Sequence, residues 1–349
     1  MLSQKNRSLA IKILIILVAY GFIVYKIREA YTTSFTEPLN ISHPFTPFFF
    51  ILLFILMIIN WALEAIKWQT LVQPFQKIKF IYSFQSVLAG ITIGLLTPKR
   101  IGDIGGRCLM LKKGNRQKGM FGFIVNSIIQ TGVTTFFGFL ALLLFFHYSL
   151  HFSDKQYFIL LFSAIFILSV TTWIISHLSG FMRLIQKIPF INFKESNLNF
   201  TDQFKTRTIL KIFSLGVLRY MVFTIQFLIL LRLFGIHLST LTVFMGVGLT
   251  YFLMTFIPLS SIAELGVRGS VAVFIFGMFS PATASILLAT FSLWIINLAV
   301  PAAIGSIIIY RSENFNFNKR PLINIFSRLK SAKKLTLIPV RSNKDLTRE

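Results

Sequence analysis

The chain has 349 residues, of which 55% are apolar and 13% are charged, and its mean hydropathy is +0.73. Soluble domains carry about 25% charged residues, so this composition excludes an ordinary soluble domain and predicts one polytopic membrane domain. The net charge of +24 comes from 35 Lys and Arg against 11 Asp and Glu. Most of these cations lie between apolar runs or in the C-terminal tail and lack interleaved aromatic residues, so nucleic acid is not expected as a partner.

Six segments are apolar enough to cross a bilayer, which takes about 20 residues. In chain order they are 9–25, 47–69, 120–146, 156–177, 210–233 and 281–309. Two further apolar segments, 80–97 and 240–279, each run into a polar break that contains proline and glycine. The sequence therefore predicts an all-α polytopic membrane helical bundle with about six full spans and two irregular elements.

Loop charges predict how the irregular elements lie in the membrane. Residues 99–119 contain seven Lys and Arg against one acid, Asp103. If 80–97 crossed the bilayer completely, this basic stretch would lie outside, against the positive-inside bias. Residues 80–97 are therefore predicted to enter from the inner side and turn back, or to pair with a short returning helix. The same reasoning makes 240–279 a re-entrant hairpin from the outer side. Broken hairpins from opposite faces are typical of inverted repeats, although the two halves are not visibly similar elsewhere.

Both breaks combine a proline, a carboxylate, a glycine and an arginine. The first break contains Pro98, Gly102, Asp103 and Arg107. The second break contains Pro258, Glu264, Gly266 and Arg268. Proline ends a helix, glycine lets the backbone approach a ligand, and arginine binds phosphate through a planar fork of donors. Each acid precedes its arginine by four residues, which predicts a salt bridge that orients the arginine. The alternative is that these residues cap helices and form surface ion pairs, and that Arg100 serves only to orient the chain.

Polar residues within the predicted spans are further candidates. Arg219 lies inside 210–233, where a charge usually faces the protein interior or a cavity, and snorkelling to the inner surface is the alternative. Glu64 and Lys67 lie near the inner end of 47–69, either as support for the site or as interfacial anchors beside two tryptophans. Asn126 and Gln130 are expected to form interhelical hydrogen bonds.

The sequence gives no reason to expect a cofactor. Cys108 is the one cysteine, which excludes an internal disulfide and a cysteine zinc site. His147 and His151 share a helical face but have no third ligand nearby, so no metal is expected. No phosphate-binding G-x-x-x-x-G-K-[ST] motif is present.

The segments "NWALEAIKW", "LLTPKRIGDIGGR" and "LGVRGSVAVFIFG" resemble the lysylphosphatidylglycerol synthase transmembrane-region family, over about residues 10–310. The residues that match the first family motif are Pro98, Arg100, Gly102, Asp103 and Arg107. Those that match the second are Pro258, Ser260, Gly266, Val267 and Arg268. Gly269 replaces the glutamate that is usual there, and Glu264 adds an acid upstream, so the acid has moved within the motif.

The resemblance implies a flippase-like transmembrane domain over 1–310 in a bacterial inner membrane. The loop charges predict that both termini, including the basic tail over 311–349, are cytoplasmic. The resemblance also implies translocation of phospholipids or lipid-linked intermediates. Such a lipid would present an anionic headgroup to the residues of both motifs, and the position of Arg219 inside a span makes it a further candidate for binding that headgroup. Only 39 residues follow Tyr310, so no aminoacyltransferase domain is expected. The alternatives are a membrane-embedded transferase acting on a lipid carrier, with Asp103, Glu264 or Glu64 as base, and a non-transporting scaffold for envelope biogenesis. Each of these three functions is compatible with a homo-oligomer or with a partner enzyme of the cell envelope.

Overall fold

The computed structural model describes residues 46–97, 100–149, 206–257 and 261–311, and the single positions 158, 161, 162 and 165. Within these residues the chain is helical and has no strand. The helices are α1 (Thr46–Val72), α2 (Phe80–Leu96), α3 (Ile101–Leu109), α4 (Arg116–Ser149), α5 (Thr206–Leu233), α6 (Thr240–Thr255), α7 (Ser261–Phe276), α8 (Thr283–Trp294) and α9 (Val300–Arg311). A 3₁₀ turn, Lys113–Asn115, precedes α4, and a π turn, Ile295–Ala299, joins α8 to α9.

Four helical stretches of the described chain are long and apolar enough to cross a membrane. They are Pro47–Val72, Lys113–Tyr148, Thr206–Leu233 and Thr283–Arg311, the last of which joins α8, the π turn and α9. These stretches confirm the spans predicted at 47–69, 120–146, 210–233 and 281–309. The predicted spans 9–25 and 156–177 lie outside the described residues, apart from the four single positions. The protein is therefore a multi-pass membrane protein.

α1 shows how a span divides its surface between lipid and protein. Ile51, Ile55 and Ile58 are 61%, 48% and 53% exposed and follow one another at helical spacing. Leu53 and Met57, on the other side, are 0% and 5% exposed and belong to the core that joins α1 to α2, α5 and α8. An apolar stripe that faces away from the protein is what the lipid chains require of a spanning helix.

The segment predicted to be the first re-entrant hairpin is a pair of short helices, α2 and α3, of 17 and 9 residues. Both of its ends lie at the C-terminal end of α1. At the start of α2, the Ser83 hydroxyl donates to the Ala65 carbonyl at 2.6 Å. After α3, the Lys112 backbone N–H donates to Gln76 Oε1 at 3.1 Å. The chain therefore enters and returns on one side, as the loop charges predicted.

The second hairpin, α6 and α7, enters from the other end of α1. The turn before α6 places His237 and Leu238 around one cavity with Phe49, which lies at the N-terminal end of α1. At the far end of α7, the Phe276 ring lies 5.1 Å from that of Phe227 and packs against Gly246, in the first half of α6. The predicted pair of broken hairpins from opposite sides is confirmed.

Glycines let α2 and α3 pack backbone against backbone. A Cβ atom added at Gly106 would lie 2.6 Å from Gly90 Cα and 2.7 Å from the Ala89 carbonyl oxygen. A Cβ atom added at Gly90 would collide with the side chain of Asp103 and would lie 2.8 Å from Arg107 Cγ. The close packing therefore sets the position of the acidic and basic side chains that α3 carries.

Candidate functional site

Glu64 is the centre of a buried charge network in the middle of the bundle. Its side chain, in α1, is 2% exposed. Three cations from three helices reach it: Arg107 Nη1 at 2.8 Å, Arg219 Nη1 at 2.5 Å and Lys67 Nζ at 3.3 Å. Asn126 Nδ2 also donates to it, at 2.8 Å. Burying one carboxylate is tolerated here because several cations and an amide surround it.

Arg107 is held from two sides. Its Nε and Nη2 atoms donate to the two carboxylate oxygens of Asp103 at 2.7 and 3.2 Å, which confirms the salt bridge predicted from the spacing of four residues. Its third contact, to Glu64, anchors α3 to α1. The guanidinium carbon lies 5.1 Å from the ring centre of Phe123, and the residue is 3% exposed. Arg107 is thus fully engaged within the protein.

Arg219 points into the bundle. Its Nε atom donates to Asn60 Oδ1 at 2.7 Å, and its guanidinium carbon lies 4.8 Å from the ring centre of Trp61. The predicted orientation towards the interior is confirmed, and snorkelling is excluded. Its side chain is 14% exposed, against 4% for Arg107. Arg219 therefore keeps a surface that a ligand can reach.

Lys67 and the neighbouring tryptophans are buried in protein. Lys67 is 0% exposed and donates to Gln130 Oε1 at 2.7 Å. Trp61 and Trp68 are 6% and 0% exposed, which excludes the alternative that this segment anchors the helix at the membrane interface. Gln130 with Lys67, and Asn126 with Glu64, confirm the predicted interhelical hydrogen bonds.

A chain of amides extends the network and was missed in the sequence. Asn60 Nδ2 donates to Asn297 Oδ1 at 3.0 Å, and Asn297 Nδ2 donates to Gln226 Oε1 at 3.0 Å. Gln226 in turn donates to the carbonyl of Leu53 at 3.2 Å. Asn297 lies in the π turn, four residues before Pro301, whose ring nitrogen cannot donate to the Asn297 carbonyl. That proline was the available sequence signal for a break in the helix at Asn297.

Two cavities of about 280 Å³ each open beside this network. We call the first the arginine lobe, because Arg100, Arg219 and Arg268 line it. We call the second the carboxylate lobe, because Glu64 and Asp103 line it. The two lobes have five lining residues in common, namely Trp61, Arg100, Gln130, Arg219 and Leu298.

Arg100 lies at the break of the first hairpin and lines both lobes. It is the residue before α3, with φ 54° and ψ 27°, in the left-handed region. A residue with a Cβ atom adopts this conformation at a cost of roughly 1–2 kcal/mol. Within the described chain it is the one residue other than glycine with a positive φ. Backbone held in a costly conformation is frequent at functional sites.

Arg268 brings the second hairpin to the same cavity. It lies in α7, lines the arginine lobe, and places its guanidinium carbon 5.5 Å from the ring centre of Tyr251 in α6. The two hairpins thus meet around one cavity, at the level of Trp61 in α1.

The structure describes only some of the remaining candidate site residues. The Gly102 backbone N–H donates to Thr97 Oγ1 at 2.8 Å, and the Gly266 carbonyl accepts from Ser270 Oγ at 3.1 Å. Both bonds use backbone atoms of the glycines, which lie in α3 and α7. Pro98, Pro258, Ser260 and the side chain of Glu264 lie outside the described residues.

The arrangement can bind an anion. Its donors are arginine guanidinium groups, while both described carboxylates already accept from cations. Guanidinium forks match phosphate and carboxylate oxygens. Among the described residues, no three His, Cys, Asp or Glu side chains lie close enough together to hold a metal ion.

Comparison with known proteins agrees with the fold. The family model of the lysylphosphatidylglycerol synthase TM region matches residues 9–305. No curated protein and no solved structure matched the chain. The match covers both hairpins, all four described spans up to Gly305, and every residue of the charge network. The chain therefore belongs to the lysylphosphatidylglycerol synthase transmembrane-region family.

Proposed function

We propose that this protein is a lipid translocator of the bacterial inner membrane, with both termini in the cytoplasm. Its substrate is a phospholipid or a lipid-linked intermediate with an anionic headgroup. The observation that carries the proposal is the arginine lobe, where Arg100 of one hairpin and Arg268 of the other line a single cavity.

The depth of the cavity supports translocation over binding at a surface. Trp61 lies 15 residues after Thr46, the start of the 27-residue helix α1. At about 1.5 Å per residue, Trp61 lies more than 15 Å along the axis from both ends of that helix. A headgroup at this depth has left both aqueous surfaces, and sites near the midplane between broken helices are typical of transporters.

The roles of the arginines follow from their contacts. Arg107 is neutralised by Asp103 and Glu64 and holds the first hairpin against α1. Arg219 is more exposed and lines both lobes, so a phosphate can share it with Glu64. Arg100 and Arg268 contribute charge from the two breaks. Arg100, Arg219 and Arg268 are the main ligands of the headgroup, and the acyl chains remain in the lipid bilayer.

The proposal is tested by translocation in proteoliposomes. Phospholipids with a fluorescent acyl chain are reconstituted with the purified protein, and a membrane-impermeant reductant quenches those in the outer leaflet. We expect wild type to make inner-leaflet lipids accessible faster than protein-free vesicles do. Arg100→Gln and Arg268→Gln should each slow this by roughly tenfold or more, since a hydrogen bond to a charged group is worth about 1.5–3 kcal/mol.

Arg207→Gln is the matched control, because it removes one positive charge from an exposed position at the start of α5. It should translocate at the wild-type rate. Wild type that is no faster than empty vesicles, with phospholipids and with polyprenyl diphosphate carriers alike, would refute the proposal. Unchanged rates in both lobe variants would refute the assigned site.

A further inference from the structure

Arg219 is held by two acceptors of α1. Its Nε atom donates to Asn60 Oδ1 at 2.7 Å, and its Nη1 atom donates to Glu64 Oε2. These bonds use two of the five guanidinium N–H groups, and the residue lines both lobes. The direction of the remaining N–H groups therefore depends on how firmly Asn60 and Glu64 are themselves held.

The Asn60 amide can serve Arg219 in only one of its two orientations. Its oxygen accepts from the arginine, but a half-turn of the amide would point its NH2 group at the N–H group of Arg219, and two donors would meet. Shape alone does not choose between the two orientations, because the oxygen and nitrogen ends of an amide are nearly the same size. Hydrogen bonds from another residue must therefore hold Asn60.

Asn297 is the amide that holds Asn60. Its Oδ1 atom accepts from Asn60 Nδ2 at 3.0 Å. Its own NH2 group has two hydrogens, and both have acceptors, namely Gln226 Oε1 at 3.0 Å and the Leu293 carbonyl at 3.3 Å. A half-turn of the Asn297 amide would break these bonds and point a donor at the donor of Asn60.

Gln226 is fixed in the same way, at the far end of the chain of amides. Its Nε2 atom donates to the Leu53 carbonyl at 3.2 Å, and a carbonyl can only accept. The chain thus runs from a fixed acceptor to Arg219, a fixed donor, and only one orientation of each amide satisfies both ends. Asn60 and Gln226 are 0% exposed and Asn297 is 4% exposed, so water does not readily replace a mismatched partner.

We propose that Asn60, Asn297 and Gln226 are positioning residues that orient the Arg219 guanidinium for an anionic headgroup. Asn297 acts through Asn60, from the π turn between α8 and α9, and such turns are frequent at functional sites. The inference rests on the proposed function for its ligand, but the orientation of Arg219 can be measured without a lipid. If the amides only joined helices, their loss would loosen the bundle without a specific effect on Arg219.

The test measures solvent exchange of the Arg219 Nε–H group by NMR, on the purified protein in detergent with isotope-labelled arginine. The signal is assigned by its loss in Arg219→Lys. We expect Asn297→Leu to speed this exchange roughly tenfold or more, because Asn60 can then turn its oxygen away from Arg219. An exchange rate equal to that of wild type would overturn the inference.

Two further variants separate orientation from packing. Asn297→Asp keeps an oxygen that accepts from Asn60 Nδ2 whether or not the acid is protonated, so it should retain the slow exchange. Thr92→Val removes another buried bond between helices, from Thr92 Oγ1 to the Ala302 carbonyl at 2.8 Å, and should also leave the exchange slow. Fast exchange in both variants would assign the effect to a loosened bundle and overturn the positioning role.

A double variant tests the order of the chain. Because Asn297 is proposed to act on Arg219 through Asn60, Asn297→Leu should add nothing to the exchange rate once Asn60→Leu is present. Effects of the two substitutions that combine independently would mean that Asn297 reaches Arg219 by another route, and would overturn this order.

The consequence for the headgroup is measured as binding of phosphatidylglycerol, by native mass spectrometry of the purified protein. Asn60 is not among the described lining residues of either lobe. Asn60→Leu should nevertheless weaken binding severalfold, while Thr92→Val should not change it. Unchanged binding in Asn60→Leu would refute a role in headgroup binding. Wild type that neither binds nor translocates a lipid would refute the proposed function, whereas the orientation of Arg219 is decided by the exchange rates alone.

Discussion

Among the described residues, Glu64 takes part in the largest number of buried ion pairs. Arg107, Arg219 and Lys67 all contact its carboxylate, and they come from α3, α5 and α1. A buried ion pair contributes little net stability when compared with apolar residues, but removing one partner leaves an uncompensated charge. The consequence of a substitution therefore depends on which charge is removed.

Glu64→Gln should destabilise the protein strongly. It leaves two arginines and one lysine around a neutral amide, and breaking a buried pair costs about 3–5 kcal/mol. Lys67→Met should cost less, because Glu64 keeps both arginines and Asn126. Thermal unfolding in detergent should therefore give the order wild type, Lys67→Met, Glu64→Gln, from most to least stable. The reverse order of the two variants would contradict a network centred on Glu64.

At the scale of single residues, part of the site could be predicted from the sequence. An ionisable residue in an apolar run is costly, so Glu64 and Arg219 could be identified without coordinates. The partners of Glu64 could not be identified, because Asn126 and Arg219 are distant from it in the sequence. Asn60 was missed although Asn126 and Gln130, which are also neutral amides within a span, were predicted to form hydrogen bonds. Interfacial anchoring stayed open as an alternative for the segment around Trp61 because tryptophan is common at interfaces, and the fold buries this residue instead.

At the scale of elements, the packing of the first hairpin depends on which face of α3 contacts α2. Gly105 and Gly106 are neighbours in sequence but opposite in environment. A Cβ atom on Gly106 would press against the backbone of Gly90 and Ala89, whereas nothing lies within 4 Å of one on Gly105. The pair therefore separates the effect of packing from that of helix propensity.

Gly106→Ala should destabilise the hairpin and Gly105→Ala should not. The first forces α2 and α3 apart, at a cost of about 1–3 kcal/mol for overpacking. The second adds a methyl group in open space and should stabilise the helix by about 0.5–1 kcal/mol. Unfolding temperatures of the two variants, measured beside wild type, check both signs. A similar loss in both would contradict the close approach at Gly106.

The hairpins themselves were predictable as elements, although their packing was not. Two apolar segments ended in proline and glycine, and the positive-inside bias did not allow the first to cross completely. That argument needs only charges and lengths. Which of the glycines in "IGDIGG" touches α2 depends on the helical phase of α3, and the sequence of a nine-residue helix does not fix it.

At the scale of the whole molecule, the described helices form two sets in which long and short helices follow the same order. A long span, two short helices and a long span occur as α1 to α4, and again as α5 to the joined α8 and α9. Because the hairpins enter from opposite ends of α1, the second set is inverted relative to the first. The sequence predicted only the paired breaks, since side chains diverge between repeats while helix lengths and turns persist.

The orientation of this repeat in the membrane gives the last prediction. The turn before α4 lies at the C-terminal end of α1, where Asn115 donates to the Phe75 carbonyl at 3.3 Å. The turn before α6, with His237, lies at the other end beside Phe49. Since α1 crosses the bilayer, the two turns must lie on opposite sides, and the basic residues of 99–119 assign the first to the cytoplasm.

Single-cysteine labelling checks this orientation directly. Cys108 is buried and is first replaced by alanine, which leaves a background without cysteine. Lys113→Cys and His237→Cys then place one exposed thiol in each turn. A membrane-impermeant maleimide, applied to cells whose outer barrier is opened, should label the cysteine at 237 and should reach that at 113 only after lysis. Labelling of 113 before lysis would reverse the orientation, because the structure holds the two turns at opposite ends of α1 and they can only exchange sides together.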